Sequence, residues 1–479
     1  VSASGSASGS ALVERALVVA AQIAPGAGAV ALVREVSEAV VRWANSTLTT
    51  NGHTIERRLS VVMLVPLDGG TGAGVVTVPA PTSLAAGREG DAVLREAVAG
   101  AVQAARRGGP ARDAAPLPEP SNGASGDDPA WHEGAGETSM AAFGRLAGEL
   151  GASFRPDEAS YGFAEHRVTT SWLGTSAGVR RRWVEPGGSV ELNLKDPVTG
   201  TSVWGGEGAV DLRTVDVAAL VERLRGRLPW GRRQIDLPAG RYETLLPPSA
   251  VSDLMIYLAW SMGGRPAQEG RSAFSRAGGT RVGEQLGALP LTLAGDPAAP
   301  GFPDLAYTPV LATTYSGDEV SVFDNGATTG RVEWVRDGTV NALAYPRAAA
   351  AEYGAPFAAP TDNLVLTGGE DARLEEMVAS TGRGLLLTCL WYIREVDPTT
   401  LLLTGLTRDG VYLVEGGEIV GEVNNFRFNE SPLDLLRRAT EAGATERTLP
   451  REWKDWFTRA AMPPLRIPDY HMTSVSPGR

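Results

Sequence analysis

The sequence predicts an α+β protein, with a helix-containing N-terminal α/β domain over residues 1–240 and a β-rich C-terminal domain over residues 241–479. Three observations predict it. Segments of helical periodicity alternate with strand-like runs in the first half. Beyond residue 305 short apolar runs are punctuated by glycine turns, as in VEWVRDGTVNALAY and TTLLLTGLTRDGVYLVEGGEIVGEV. Residues 238–240 (Pro-Ala-Gly) break the chain between the two regimes. The 479 residues fit about two to three domains, and 43% hydrophobic residues supply a sizeable core and exclude a disordered chain.

The elements follow in order. Residues 1–10 (VSASGSASGS) are small and polar and read as a disordered leader; 11–24 read as a helix. Residues 28–50 read as strands, with Asn51-Gly52 as a hairpin turn and 55–65 as the next strand. An amphipathic helix is expected over 90–107. The stretch 108–136 is rich in Pro, Gly, Asp and Ser and reads as a flexible loop, either lid, linker or disorder. A helix over 137–150, antiparallel strands over 166–212 and a helix over 215–227 complete the first half. In the second, 249–262 is one apolar helix, 305–428 is mostly strand and turn, a helix falls near 433–442, and a Pro-rich tail closes the chain.

Charge and composition exclude several classes. The net charge of −12 argues against a nucleic-acid partner, because neutralising phosphates takes a basic face. No apolar run approaches a membrane span. The start of the sequence lacks a basic region before its first apolar stretch, so the cytoplasm is expected. One cysteine, Cys389, allows no intrachain disulfide and no multi-cysteine zinc site.

Four short motifs invite a chemical reading. Gly174-Thr-Ser176-Ala-Gly178 fits G-x-S-x-G, but strands flank it on both sides, so it reads as a hairpin and not a nucleophile elbow. Gly70-Thr-Gly72-Ala-Gly74 precedes a strand instead of a helix and reads as a hairpin loop, not a phosphate cradle. His132-Glu133 has no second histidine at helical spacing. Arg180-Arg181-Arg182 and the 223–233 cluster read as solvated faces, with capture of an anionic group such as a peptide C-terminus as the alternative.

The 249–262 helix is the most informative element. Pro247-Pro248-Ser249 opens it, with Ser249 as the expected N-cap, and Gly263-Gly264 closes it. Val251, Leu254, Met255, Ile256, Leu258, Trp260 and Met262 point all round its axis, which marks a buried helix.

The following stretch, Gln268-Glu269-Gly270-Arg271-Ser272-Ala273-Phe274, resembles the TldD/PmbA family of bacterial metallopeptidases. Other segments agree with it. Trp43-Ala44-Asn45-Ser46 resembles the family's FANS strand. Phe323-Asp324-Asn325-Gly326, then 337–347 ending in Tyr345-Pro346-Arg347, resembles its FDxEG…GxLxxxLxxR pattern. Residues 405–408 with Gly416-Gly417-Glu418-Ile419, and the late Met462-Pro-Pro-Leu, fit as well.

TldD-type members carry His-Glu-x-x-x-His on a buried helix as part of a zinc site; TldE (PmbA)-type members lack it. Counting back from Ser272, the ligand and base positions fall on Met255, Ile256 and Trp260. The resemblance therefore implies a TldE-like, non-catalytic subunit with no metal and no catalytic residue of its own. Zinc would reside in a TldD-type partner of a heterodimer that binds and trims peptides. Gly270, Arg271, Ser272 and Phe274 are the candidate substrate-binding residues, with loop packing as the competing explanation. A metal-independent biosynthetic enzyme and a homodimeric binding or scaffold protein are the alternatives of the same fold.

Overall fold

The computed structural model describes residues 8–80, 88–120 and 128–476. Most of the expected leader and residues 121–127 of the expected loop lie outside the described residues.

The N-terminal half is a six-stranded antiparallel sheet with helices on one face. Its elements are α1 (Gly9–Ile23), β1 (Gly28–Ala44), β2 (Thr47–Leu67), β3 (Gly70–Pro79), α2 (Arg88–Gly108), α3 (Gly144–Ser153), β4 (Ala159–Thr175), β5 (Arg180–Lys195), β6 (Ser202–Ala209) and α4 (Val217–Arg225), with sheet order β3-β2-β1-β4-β5-β6. Ser8 caps α1 by accepting from Ala11 N at 3.2 Å, and Asp216 caps α4 through Ala219 N at 2.8 Å.

Strand alternation assigns the two faces. Ala29, Ala31 and Val33 of β1 face the core under α1 and α2, and Ala39, Val41 and Trp43 share that face under α3 and α4. Val30 and Leu32 point the other way, onto Val322 and Phe323 of the C-terminal half. A strand buried on both sides reads as an unbroken apolar run, which is what residues 29–33 show.

Two expected turns lie elsewhere. The β1–β2 hairpin turns at Asn45-Ser46, both left-handed (φ 49° and 55°), and Asn51-Gly52 sits inside β2 opposite Val41 and Val40. Ser46 Oγ accepts from Ser160 N at 3.1 Å, and Trp43 Nε1 donates to Ser160 Oγ at 3.0 Å, locking the turn onto β4.

Gly70, Gly72 and Gly74 are strand residues of β3 and not a loop. Their role is close approach: a Cβ on Gly74 would stand 2.0 Å from Ala101 O, so glycine lets α2 lie directly on the strand. Gly74→Ala is expected to cost about 1–3 kcal/mol as the helix is pushed off, read as a lower urea midpoint by circular dichroism.

The C-terminal half holds two large sheets around one apolar core, besides a two-stranded ribbon of Ser275–Arg276 and Gly279–Thr280. The larger sheet runs in the order Leu390–Asp397, Leu402–Thr407, Phe426–Glu430, Leu465–Val475, β8 (Gly240–Leu246), Arg383–Leu387, Val411–Glu415, Glu418–Val423 and β7 (Gln234–Ile235). The smaller runs Thr339–Val340, Val332–Arg336, Thr292–Gly295, Leu364–Thr367, Ala460–Met462 and Glu446–Thr448. Between them lies α5 (Pro248–Trp260), whose Val251, Leu254 and Ile256 share a core with Leu293 and Leu366 of one sheet and Leu387 and Phe428 of the other.

One expectation is overturned by the structure and two gain detail. The N-cap of α5 is Pro247 without a side-chain bond, with Pro248 at the first helical position. The stretch 305–428 also contains short helices at Arg347–Tyr353 and Leu374–Ala379. The Pro-rich tail contains Leu465–Val475, an interior strand of the larger sheet paired with β8 and with Phe426–Glu430.

Residues 109–120 of the expected loop form a strap between the halves. Leu117, Ala114 and Ala115 join the core between β1 and Phe323. Arg112 pairs with Glu269 at 2.7 Å and Glu352 at 3.0 Å, and Ser321 Oγ donates to Asp113 at 2.7 Å. Among the described residues no helix is long and apolar enough to cross a membrane.

Candidate functional site

The site is built on α5. Its acid, Asp253, is fully buried and accepts from the backbone N–H groups of Arg451 (3.2 Å), Glu452 (2.9 Å) and Trp453 (3.4 Å). Trp453 Nε1 returns a bond to Asp253 O at 2.8 Å. Burial pushes the Asp253 carboxyl up to about 8, against the pull of the three N–H donors. This acid therefore anchors the 451–453 loop across α5.

Met255 and Ile256 face the core and are buried; Trp260, at the end of the helix, is 40% exposed. Ser261 Oγ donates to Tyr257 O at 2.9 Å, and the chain leaves the helix by pairing Gly264 N with Ala344 O at 2.8 Å. Gly264 opens α6 (Gly264–Gln268), and a Cβ there would sit 2.1 Å from the Tyr345 ring.

The turn after α6 carries the four candidate binding residues. Gly270 takes φ +77° with open space where a Cβ would point, so it serves the turn and not a close approach. Arg271 is bound to Glu269 (2.7 Å) and Asp318 (3.3 Å). Ser272 Oγ accepts from Phe274 N at 3.2 Å. Phe274 is fully buried in the core.

Arg271 and Ser272 do meet Trp260. They line a cleft of about 480 Å³ with Tyr257, Trp453, Glu319, Arg394 and Glu395. Its walls are mainly apolar. Tyr257, Trp260 and Trp453 form a triangle of rings with centroids 5.2–6.5 Å apart. No motif in the sequence marks Glu319, Trp453, Arg394 or Glu395. The aromatic pair in Trp453-Lys454-Asp455-Trp456 is the one local signal that could draw attention to this loop.

Two larger clefts lie elsewhere. One of about 670 Å³ separates the N-terminal sheet from the C-terminal half and includes Arg34, Glu165, Tyr307 and Asp362. Another of about 700 Å³ beside β6 and α4 includes Arg223, Arg227, Glu446 and Arg447. Cations and carboxylates face each other in both.

The remaining sequence candidates resolve structurally. Ser176 lies in the β4–β5 hairpin, and its hydroxyl accepts from Ala29 N at 2.9 Å. Arg180 pairs with Glu14 at 2.6 Å, Arg182 with Glu133 at 3.3 Å, and Arg223 and Arg225 with Glu207 and Glu158. His166 bonds Thr138 Oγ1 at 2.6 Å, and His53 bonds Ser37 Oγ at 3.0 Å. The Cys389 thiol is buried and pushed up to about 12, which leaves it unreactive.

A metal does not fit the α5 positions. Met255 and Ile256 offer no hard donor and are enclosed by core side chains, and the indole of Trp260 has no lone pair to give. Among the described residues no group of three or more His, Cys, Asp or Glu side chains could hold an ion.

The motif segments come together in space. Asp324 of the Phe323-Asp324 segment is 1% exposed and accepts from Arg347 Nε at 2.8 Å and Arg347 N at 3.0 Å. Arg347 also donates to Phe323 O at 2.7 Å and, on the strap, to Pro116 O at 2.5 Å. Gly417 turns between two strands at φ +82°, where a Cβ would stand 2.4 Å from Ala379 O.

Comparisons with known proteins agree with this architecture. Residues 239–474 match the family profile of the PmbA/TldA metallopeptidase C-terminal domain. No curated protein matches the chain. Among solved structures, TldE from Thermococcus kodakarensis superposes with a TM-score of 0.73 at 16% identity, covering 96% of this chain and 99% of that one. A candidate modulator of a DNA gyrase from Thermotoga maritima gives 0.72 at 15%, covering 96% and 99%. Another from Bacteroides thetaiotaomicron gives 0.73 at 15%, covering 97% and 98%. With its C-terminal domain matched, its fold shared over nearly the whole chain and its motif residues Asp324 and Arg347 paired in the core, the chain belongs to the TldD/PmbA family.

Proposed function

We propose that this chain is the non-catalytic, TldE-like subunit of a heterodimeric peptidase, forming part of the peptide site while a TldD-type partner supplies zinc and general base. The observation that carries the reading is the side-chain set on α5: Met255 and Ile256 in the core and Trp260 on the cleft. Zinc hydrolysis depends on lowering the pKa of bound water from about 15.7 to about 7, worth about 12 kcal/mol. Methionine, isoleucine and tryptophan at these positions supply neither the ion's ligands nor a proton acceptor. The cleft that remains combines the aromatic walls of a binding site with a small set of charged and hydroxyl side chains.

The test is co-expression with the TldD-type paralogue of the same genome. The two chains are expected to co-purify, and unfolded peptides are expected to be cleaved by the pair and not by this chain alone. Full-rate cleavage by this chain alone after chelation overturns the reading, as does a failure to co-purify.

A further inference from the structure

The charges around the cleft at the end of α5 are not equivalent. Arg271 is already held by Glu269 and Asp318, and Arg394 by Glu452 at 3.2 Å. The carboxylates of Glu319 and Glu395 line the same cleft without a hydrogen-bond or ion-pair partner among the described residues. Glu319 is half-buried and lies against the backbone where α5 ends; a Cβ on Gly263 would stand 3.2 Å from its Oε1. The uncommitted charge in the cleft is therefore negative. Beside it stands the exposed ring of Trp260, held by Tyr257 and Trp453. An aromatic face next to an uncompensated carboxylate favours a cation, and the apolar walls favour one carried on an alkyl stem.

We propose that this cleft binds the cationic side chain of a lysine or arginine in a peptide, its stem against Trp260 and Tyr257 and its charge taken up by Glu319 and Glu395. The inference rests on the peptide-binding reading for the nature of the ligand. Burial, with Asp318 alongside, raises Glu319 to about 7, the state of a carboxylate lacking a counter-charge. The charged groups around it are Asp318 on its own loop, Arg271 and Glu269 from the turn after α6, and Arg394, Glu395 and Glu452 across the cleft. A bound cation needs Glu319 ionised, so affinity should rise from pH 6 to pH 8.

The test is calorimetric titration of the full chain, without a partner, with blocked pentapeptides bearing a central lysine or its uncharged isostere norleucine. The lysine peptide is expected to bind about tenfold more tightly at pH 8. Glu319→Gln should bring it down to the norleucine level and abolish the pH dependence, with the thermal midpoint unchanged. Glu395→Gln, on an exposed strand, should give a smaller loss in the same direction. Equal binding of the two peptides, no binding of the lysine peptide at millimolar concentration, or unchanged lysine affinity in Glu319→Gln overturns the proposal. Failure of co-purification would leave a positive result here standing, and a negative result here would leave the subunit pairing standing, so the two readings fail separately.

Discussion

Asp253→Ala is expected to destabilise the chain by about 3–5 kcal/mol, seen as a fall in the urea midpoint. Three backbone N–H groups aim at this carboxyl group from one loop, and the side chain is fully buried. Removing the acceptor strands those donors where water has little access, and each stranded donor costs about 1–3 kcal/mol. Asp253→Asn keeps the shape but turns an NH₂ toward one of the donors, so it should cost less than alanine.

The pH dependence has a definite sign. The folded chain keeps Asp253 protonated up to about pH 8, whereas an unfolded aspartate releases its proton near pH 4. The unfolded state therefore binds fewer protons over this window, and the Asp253 contribution falls as pH rises. Asparagine does not titrate, so the gap between parent and Asp253→Asn should narrow from pH 5 to pH 8. A gap that widens would show that the three donors outweigh burial.

Arg347→Met is expected to cost a similar amount, about 3–5 kcal/mol, because it leaves Asp324 buried without its cation. The same guanidinium holds Phe323 O and Pro116 O, so the strap should loosen together with the ion pair. Limited proteolysis gives an independent reading: cleavage within residues 109–120 should speed up in the variant. The double variant Asp324→Asn with Arg347→Met should recover part of the loss, since no unpaired charge remains. Loss of stability without faster cleavage would separate the ion pair from the strap.

Periodicity makes α1, α2, α4 and α5 legible, because each presents an apolar stripe or, for α5, apolar residues all round. The β1–β2 turn is not legible in the same way. Asn-Gly at 51–52 is the stronger local turn signal, but the hairpin is decided by which strand face carries Val41 and Trp43 beneath α3 and α4. The glycines of β3 mislead for a related reason: their purpose is contact with a helix that arrives about thirty residues later.

The site is legible only in part. Trp260, Arg271 and Ser272 are close in sequence, and reading along the chain places them near one another. Glu319, Glu395 and Trp453 reach the same cleft from three segments distant in sequence, and spacing along a single chain carries no record of that convergence.

The position of Leu465–Val475 bears on how this polypeptide can be made. It pairs with β8, roughly 220 residues earlier, and fills the middle of its sheet. During vectorial synthesis the N-terminal sheet has all its strands by Ala209, and it can close while the ribosome is still translating the rest. The second half must wait with β8 unpaired on one side until its late neighbour emerges. Nascent chains stalled before codon 465 should therefore be the ones that chaperones hold.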